Sequence, residues 1–168
     1  MSPVVVLVGP PGSGKSTVGR LLAAKLGVDF RDTDADVEIR TGTTISEIFV
    51  DHGEARFREL EKEAVRTALQ EHEGVLALGG GAILDPETRA LLAAEPVAFL
   101  DVTAADAASR VGLNRDRPLL VGNIRGQLSK LMAGRRPLYE EVASMTLAAD
   151  RAAEEIAAEL AETLGVQA

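Results

Sequence analysis

The chain has 168 residues, 46% of them hydrophobic and 26% charged, which suits one globular domain with a substantial core. It contains no cysteine, so disulfides, thiolate zinc sites and cysteine nucleophiles are excluded, and its two histidines are too few for a histidine metal cluster. A net charge of −8 and an aromatic content of only 3% disfavour binding to nucleic acids or anionic membranes.

The predicted elements alternate between apolar strands and amphipathic helices. In chain order we predict strand 4–8, helix 15–26, strand 29–32, helices 34–40, 45–52 and 53–71, strand 74–78, helix 86–94, strand 97–100, helix 103–111, helix 127–139, strand 145–148 and helix 151–164. The first strand is an unbroken apolar run, typical of a strand buried on both faces of a parallel sheet. The pattern predicts a single three-layer α/β/α domain, residues 1–168, around a five-stranded parallel sheet.

Two stretches near the C-terminal third depart from this regularity. Residues 112–126 contain three glycines and a proline and are predicted to be a mobile loop, and the helix after it is expected to be interrupted near Gly134 and Pro137. The segment 112–136 also concentrates basic side chains: Arg115, Arg117, Arg125, Lys130, Arg135 and Arg136. A basic cluster in an acidic protein favours one local anionic ligand; the alternative is an exposed loop or a contact with an anionic protein or RNA.

Residues 9–16, GPPGSGKS, match the phosphate-loop pattern G-x-x-x-x-G-K-[ST] at every fixed position, directly after the first predicted strand. In such a loop backbone N–H groups surround a phosphate, and the helix that follows adds its positive dipole end. Lys15 is expected to bridge the β- and γ-phosphates of ATP, and Ser16 to hold Mg²⁺. The predicted nucleotide-binding residues are Gly12, Ser13, Gly14, Lys15, Ser16 and Thr17. The alternative is an incidental glycine-rich turn.

Kinases and nucleotide switches both use phosphate loops, but the N-K-x-D motif of guanine-specific switches is missing here. Two acidic candidates follow predicted strands, Asp101 and the pair Asp32 and Asp34. Carboxylates two residues apart at a strand end are suited to two neighbouring centres, a metal and a substrate hydroxyl. The structural alternatives are that Asp101 ends a strand or caps the next helix, and that the pair is a helix N-cap cluster.

Taken together, the sequence resembles the shikimate kinases over nearly its whole length. The matching motifs are D-[ST]-D at 32–34, I-F-x-x-x-G-E-x-x-F-R-x-x-E at 48–61, the glycine triplet at 79–81, R-P-L-L at 117–120 and R-x-P-L-Y at 135–139. The resemblance implies a P-loop kinase of the nucleoside monophosphate kinase-like fold, with a lid at about 112–126 and a shikimate-binding region at about 32–61. It implies ATP-dependent phosphorylation of the 3-hydroxyl of shikimate, on the way to chorismate and the aromatic amino acids.

The resemblance also implies roles for single residues. Asp34 is expected to bind ring hydroxyls and to act as, or orient for, the base, while Ser16 and Asp32 hold Mg²⁺. Arg58 and Arg135 would clamp the substrate carboxylate, with Glu61 orienting Arg58. The remaining implied contacts are those of Gly79, Gly80 and Gly81 with the substrate through backbone N–H groups, of Arg117 with the transferring phosphoryl group, and of Arg110 with the adenine.

The match fixes the register of one arginine and departs from the family pattern at one segment. In R-x-P-L-Y the clamp arginine is Arg135, two residues before Pro137, and Arg136 fills the variable position. Members of the family often have an arginine-rich loop with a proline beside the adenine, whereas residues 148–152 here contain one arginine and no proline. The implied adenine contacts therefore do not extend to that segment.

Physical chemistry agrees with the implied substrate. A small carboxylated polyol needs bidentate arginine for its carboxylate, a carboxylate acceptor for its hydroxyls and a lid that excludes water. Arg58 lies three residues before Glu61, which is the spacing of an ion pair on a helix. The alternative is a solvent-exposed helix face, which would carry charged residues in the same pattern. Phe49 and Phe57 either wall the apolar face of the ring or belong to the core. Because phosphoryl transfer depends on positioning and charge neutralisation, the orienting role of Asp34 is expected to outweigh its role as a base.

We therefore expect the activity that the resemblance implies, with Mg²⁺ as cofactor and ATP and shikimate as ligands. The enzyme is expected to act as a cytoplasmic monomer that binds neither nucleic acid nor membrane. Two alternatives stay open: a related small-molecule kinase such as a gluconate kinase, and a non-catalytic ATP-binding module, which would need neither Asp34 nor a closing lid. A nucleoside monophosphate kinase is disfavoured, because paired arginines and a glycine triplet suit a small carboxylate.

Overall fold

Five strands form one sheet with helices on both faces in the computed structural model, which describes residues 2–111 and 124–167. The strands are β1 (Val5–Val8), β2 (Phe30–Asp32), β3 (Val75–Ala77), β4 (Val97–Asp101) and β5 (Met145–Ala148). Their order in the sheet is β2-β3-β1-β4-β5, and every pairing is parallel. The predicted fold class is confirmed, and all five predicted strands are present.

The helices, in chain order, are α1 (Lys15–Leu26), α2 (Thr33–Thr41), α3 (Ile45–Glu71), α4 (Pro86–Leu92), α5 (Ala104–Val111), α6 (Ile124–Val142) and α7 (Ala153–Gln167), with a single 3₁₀ turn at Ala82–Leu84. The bounds of α1 match the prediction, and most other helix ends differ from it by one to three residues. No helix in the described ranges is both long and apolar enough to cross a bilayer.

Strand β1 shows why an unbroken apolar run marks a central strand. Val5 and Leu7 pack into a core shared with α1 and α7, while Val6 and Val8 pack into a second core shared with α3 and α6. Successive side chains of a strand point to opposite faces, so both faces are covered only if every residue is apolar. Parallel strands also end at one edge, and there the sheet presents the loops that follow β1, β2, β3 and β4.

A third, smaller core supports the helices after β2. It is built from Val37 of α2 and from Ile48, Phe57 and Ala64 of α3. Helix α3 is broken at Gly53, whose φ and ψ of 85° and 170° are not helical, in agreement with the two helices predicted on either side of residues 52 and 53. The break separates the first two turns of α3 from the longer part that carries Phe57, Arg58 and Glu61.

The prediction for α6 was wrong at both of its ends and in its middle. The helix begins at Ile124, so Gly126 belongs to it and not to the predicted 112–126 loop, and it continues through Pro137 to Val142. The helix stays continuous because buried side chains anchor it on both sides of the proline: Leu128 is 0% exposed and Tyr139 1%. This packing outweighs the local cost of the proline. The rest of the predicted loop, 112–123, lies outside the described residues.

Candidate active site

The glycine-rich turn between β1 and α1 has the backbone of a phosphate cradle. Gly12 and Gly14 have φ angles of 82° and 88°, which residues with a Cβ rarely adopt. The turn is closed by a hydrogen bond of 3.1 Å from the backbone N–H of buried Ser13 to the carbonyl of Pro10. The first turn of α1 therefore directs its N–H groups and its positive dipole end toward the space in front of the loop.

Lys15 reaches back over this turn. Its Nζ donates to the carbonyl oxygens of Gly9 at 2.8 Å and Pro10 at 3.1 Å, and lies 3.4 Å from the hydroxyl of Ser13. The ammonium group is thus held at the cradle by neutral oxygens. A phosphate that enters the loop meets a cation in addition to backbone N–H groups, and such charge-assisted contacts are the strong ones.

Ser16 and Asp32 lie together at the end of the cradle. The Ser16 hydroxyl donates to Oδ2 of Asp32 at 3.1 Å, while Oδ1 of Asp32 accepts from the backbone N–H of Asp34 at 2.8 Å. Asp32 is therefore the N-cap of α2, as the structural alternative held, and its second oxygen faces Ser16. A hydroxyl and a carboxylate oxygen are the ligand types that Mg²⁺ prefers. No cluster of three or more acidic, histidine or cysteine side chains suited to a metal occurs in 2–111 or 124–167.

The glycine triplet after β3 is tightly surrounded by predicted site residues. A Cβ built on Gly79 would lie 2.5 Å from Oδ1 of Asp34 and 2.8 Å from Oε2 of Glu61. A Cβ on Gly81 would overlap the guanidinium of Arg58. The absence of side chains on the triplet therefore allows two carboxylates and one arginine to converge on the end of β3. Oδ1 of Asp34 is itself buried.

Arg58 is fixed by carboxylates on its own helix. Its Nη1 donates to Oε1 of Glu61 at 2.8 Å, and its Nε and Nη2 each lie 3.3 Å from Oε2 of Glu54. The Glu61 side chain is only 4% exposed, so this part of α3 is not a solvated face; that role belongs to the exposed pair of Arg56 and Glu59. Burial raises the pKa of the Glu61 carboxyl, and the Arg58 guanidinium opposes that rise.

Arg135 approaches the same site from α6. It is 8% exposed, and Tyr139, Arg58 and Glu61 lie near enough to its guanidinium to affect its pKa. Burial lowers the pKa of Arg135, and the positive charge of Arg58 lowers it further. Two guanidinium groups close enough to repel each other can both attract one anion.

Arg136 faces a different direction. It binds Asp101 with two hydrogen bonds of 2.7 and 2.8 Å, and its guanidinium lies 5.5 Å from the centre of the Phe99 ring. Both carboxylate oxygens of Asp101 are thereby engaged. Asp101 ends β4 as one alternative held, but it does not cap α5, because the Thr103 hydroxyl accepts the N–H of Asp106.

The two phenylalanines of the 48–61 block pack on each other, with ring centres 5.1 Å apart. Phe57 is 2% exposed and belongs to the small core with Val37, Ile48 and Ala64, while Phe49 is half-buried beside it. The Arg58 guanidinium lies 5.3 Å from the Phe57 ring centre. Phe57 is therefore a core residue whose ring also supports Arg58.

The predicted adenine side is described only in part. Thr17 is exposed on the first turn of α1. The side chain of Arg110 and the whole of Arg117 lie outside the described part of the chain. The one arginine of 148–152, Arg151, donates to the carbonyl of Ala148 and pairs with Glu159 of α7, both at 2.8 Å.

Sequence reasoning missed two hydroxyl groups that hold the triplet. The Thr33 hydroxyl accepts from the N–H of Gly79 at 3.3 Å, so this N–H is engaged within the protein. The Tyr139 hydroxyl donates to the carbonyl of Gly80 at 2.6 Å. Both residues lie inside motifs quoted above, but a motif does not show which distant backbone group its side chain meets.

The sheet order, the cradle and the facing carboxylate and arginine groups define the class of protein. A phosphate loop after the central strand, next to a second, anion-binding site at the same sheet edge, is the arrangement of a P-loop kinase that phosphorylates a small molecule.

Comparison with known proteins identifies the family within this class of kinases. A model of the shikimate kinase family matches residues 11–165. The shikimate kinase of Streptomyces coelicolor is 60% identical over 92% of this chain and 91% of its own length, and that of Salinispora arenicola is 56% identical over 98% and 99%. The chain belongs to the shikimate kinase family.

Solved structures agree with this assignment. A shikimate kinase from Acinetobacter baumannii in complex with shikimate superposes with a TM-score of 0.94 at 36% identity, covering 99% of this chain and 94% of that one. The enzyme from Aquifex aeolicus gives 0.84 at 30% identity, covering 97% and 96%. The activity of the chain is the ATP-dependent phosphorylation of shikimate.

Proposed function

We propose that the described residues divide this reaction among three groups at the carboxyl edge of the sheet. The cradle and Lys15 hold the phosphates of ATP. Arg58 and Arg135, which we call the carboxylate clamp, hold the carboxylate of shikimate. Asp34 accepts a hydrogen bond from a ring hydroxyl. The observation that carries this proposal is the convergence of Asp34, Glu61 and Arg58 on the glycine triplet, one strand away from the cradle. Arg135 lies near enough to Arg58 and Glu61 to interact with them electrostatically.

The clamp is suited to a planar carboxylate. Arginine presents its N–H donors as a fork that matches two carboxylate oxygens, and it keeps its charge when buried. Glu61 holds Nη1 of Arg58 at 2.8 Å, whereas the longer contacts of 3.3 Å with Glu54 are weaker. We infer that the substrate carboxylate competes with Glu54 for the Nε and Nη2 fork, while Glu61 keeps Arg58 in place.

Asp34 contributes mainly by orientation. A carboxylate that accepts the proton of the reacting hydroxyl fixes the oxygen for in-line attack on the γ-phosphorus, and it receives that proton as the new O–P bond forms. Because the transition state is loose, most of the rate enhancement comes from fixing the two reactants and neutralising phosphate charge. The close approach of Gly79 holds the Asp34 side chain in position.

Ser16 and Asp32 fit Mg²⁺, since both present oxygen atoms and lie 3.1 Å apart beside the cradle. When bound, the ion would be held by Ser16 and Asp32 and would offset the negative charge of the phosphates.

The N–H groups of Gly80 and Gly81 keep the substrate contacts that the family resemblance implies, as proposals, whereas the N–H of Gly79 is engaged by Thr33. Phe49, Arg110, Arg117 and the part of the predicted lid before α6 likewise keep their implied roles as proposals.

A coupled ADP-release assay tests the proposed function. Shikimate, gluconate and nucleoside monophosphates are compared at equal concentration with Mg²⁺ and ATP. We expect turnover with shikimate alone, because gluconate shares the carboxylate and hydroxyls but not the rigid ring. Faster turnover with gluconate would contradict the substrate assignment. Full activity of Asp34→Asn would contradict the role of the carboxylate. ATP binding without shikimate-dependent ADP release would favour a non-catalytic binding module.

A further inference from the structure

The hydroxyl of Thr33 continues the pairing of β2 with β3 past the end of β2. At the start of the pairing, the N–H of Val75 donates to the carbonyl of Asp29 at 2.9 Å. Beyond the strands, the N–H of Gly79 donates to the hydroxyl of Thr33 at 3.3 Å, over the same separation of 46 positions. Thr33 is the first residue of α2, so its own carbonyl points along the helix axis. The side chain therefore supplies the acceptor that the backbone of β2 no longer offers.

The segment that follows β3 is held from both sides, because β3 lies between β1 and β2. The N–H of Leu78 donates to the carbonyl of Leu7 on β1 at 3.1 Å, and the N–H of Gly79 donates to Thr33 on the side of β2. Thr33 is 0% exposed and Gly79 is buried. In a buried position even a long hydrogen bond is preferred to an unpaired N–H, so the hydroxyl fixes where Gly79 lies.

Gly79 is also the residue against which the Asp34 carboxylate lies. A Cβ built on Gly79 would be 2.5 Å from Oδ1 of Asp34 and 3.2 Å from its Cγ. The backbone of Asp34 is fixed separately, since its N–H donates to Asp32 at 2.8 Å. Thr33 and Asp34 are consecutive, so the hydroxyl of one and the carboxylate of the other meet the same glycine. A displacement of Gly79 would move the surface that keeps the Asp34 side chain in place.

We propose that the Thr33 hydroxyl is a positioning group for Asp34, which it serves by holding Gly79 against the Asp34 carboxylate. The inference rests on the proposed role of Asp34 toward a ring hydroxyl of the substrate. It also assigns the N–H of Gly79 to the protein, so that this N–H is not a donor to the substrate. Loss of the Thr33 hydroxyl should therefore lower activity through Asp34.

The variants Thr33→Val and Thr33→Ser separate the hydroxyl from side-chain packing. Valine keeps the shape of threonine and removes the oxygen, whereas serine keeps the hydroxyl and removes the methyl group. We expect Thr33→Val to lower kcat/KM for shikimate about fivefold to tenfold, the scale of one lost buried hydrogen bond, and Thr33→Ser to stay within about twofold of wild type. Thr41→Val is the matched control and should leave kcat/KM unchanged, because the Thr41 hydroxyl donates to the carbonyl of Val37 at 2.8 Å on the same helix.

A double-mutant cycle shows whether the hydroxyl acts through Asp34. The dissociation constant of shikimate, measured by calorimetry, should rise in Thr33→Val but should rise no further when the same change is made in Asp34→Ala. Equal effects in the two backgrounds would show a contribution that is independent of Asp34. A Thr33→Ser variant as impaired as Thr33→Val would show that packing, not the hydroxyl, decides. Either result would overturn the inference.

A second measurement uses the unaltered enzyme and covers the case in which Thr33→Val does not fold or Asp34→Ala binds too weakly. Hydrogen exchange of glycine amides is followed by NMR on enzyme labelled with ¹⁵N-glycine, with and without shikimate. The Gly79 amide should exchange slowly in the free enzyme, and shikimate should change its rate little. Rapid exchange in the free enzyme, whether or not shikimate slows it, would overturn the inference.

The outcomes separate the two proposals. An enzyme that releases ADP with shikimate but fails these expectations for Thr33 would overturn the role of Thr33 alone. A wild-type chain without shikimate-dependent ADP release would overturn the proposed function and this inference with it.

Discussion

Adjacent arginines on α6 give opposite predictions when each is changed to alanine. Arg135 is 8% exposed and faces Arg58 and Tyr139, whereas the side chain of Arg136 is 47% exposed and binds Asp101. Arg135→Ala removes a donor fork from the carboxylate clamp. Arg136→Ala removes the partly exposed ion pair with Asp101. The two variants differ by one position and delete the same atoms, so each is a control for the other.

The sizes of the two effects follow from burial. A buried hydrogen bond to a charged group contributes about 1.5–3 kcal/mol, so losing the Arg135 fork should weaken shikimate binding by about 2–3 kcal/mol, a rise in KM of roughly 30- to 150-fold. The Arg136 pair is exposed to solvent, and its loss should lower the free energy of unfolding by at most about 1 kcal/mol and change the KM for shikimate by less than about threefold.

Steady-state kinetics with shikimate varied at saturating ATP, together with thermal denaturation, decide between these expectations. Arg135→Lys is an informative third variant, because it keeps the charge and loses the fork, and it should fall between wild type and Arg135→Ala. If Arg136→Ala raised the KM for shikimate as much as Arg135→Ala does, the assignment of the clamp from burial and partners would be refuted.

Three further substitutions address other parts of the site. Lys15→Ala should lower kcat by about a hundredfold to a thousandfold or more, as expected for a lost transition-state cation, in single-turnover assays on folded protein. Gly81→Ala places a methyl group against the Arg58 guanidinium and should raise the KM for shikimate about tenfold with the melting temperature nearly unchanged, since a flexible side chain can move aside. Because burial raises the pKa of Glu61, the carboxyl takes up a proton early as the pH falls and releases Arg58. The KM for shikimate should therefore rise toward acid pH, and Glu61→Gln should raise it at neutral pH and remove that dependence.

Local sequence was sufficient for the parts of the fold that local physics decides. The phosphate loop is recognised from glycines and a lysine at fixed spacing. The unbroken apolar run before it predicts a strand that is covered on both faces of the sheet. Arg58 and Glu61 are neighbours on one helix, so their spacing allowed the contact that the structure shows at 2.8 Å, and the family resemblance favoured it over a solvated face. Each of these features depends on residues within one element or one turn.

Contacts between residues far apart in the sequence could not be predicted from local patterns. The pairing of Arg136 with Asp101 spans 35 positions, and that of Tyr139 with Gly80 spans 59. No periodicity encodes them, because they depend on how α6 lies across the ends of β3 and β4. The continuity of α6 through Pro137 has the same origin: a local rule predicted a break, and packing of Leu128 and Tyr139 against the rest of the core prevented it.

The distribution of charge explains how an acidic protein binds an acidic substrate. Repulsion from a net charge of −8 is spread over the surface and screened by salt, whereas the clamp acts at hydrogen-bond distance in a partly buried pocket. What matters is therefore which cations remain uncompensated inside the site. Arg136 is neutralised by Asp101, but Arg135 is buried and lies close enough to Arg58 for that cation to lower its pKa. A substrate carboxylate relieves that repulsion, and a neutral analogue does not, so selectivity for the acid should exceed what one hydrogen bond provides.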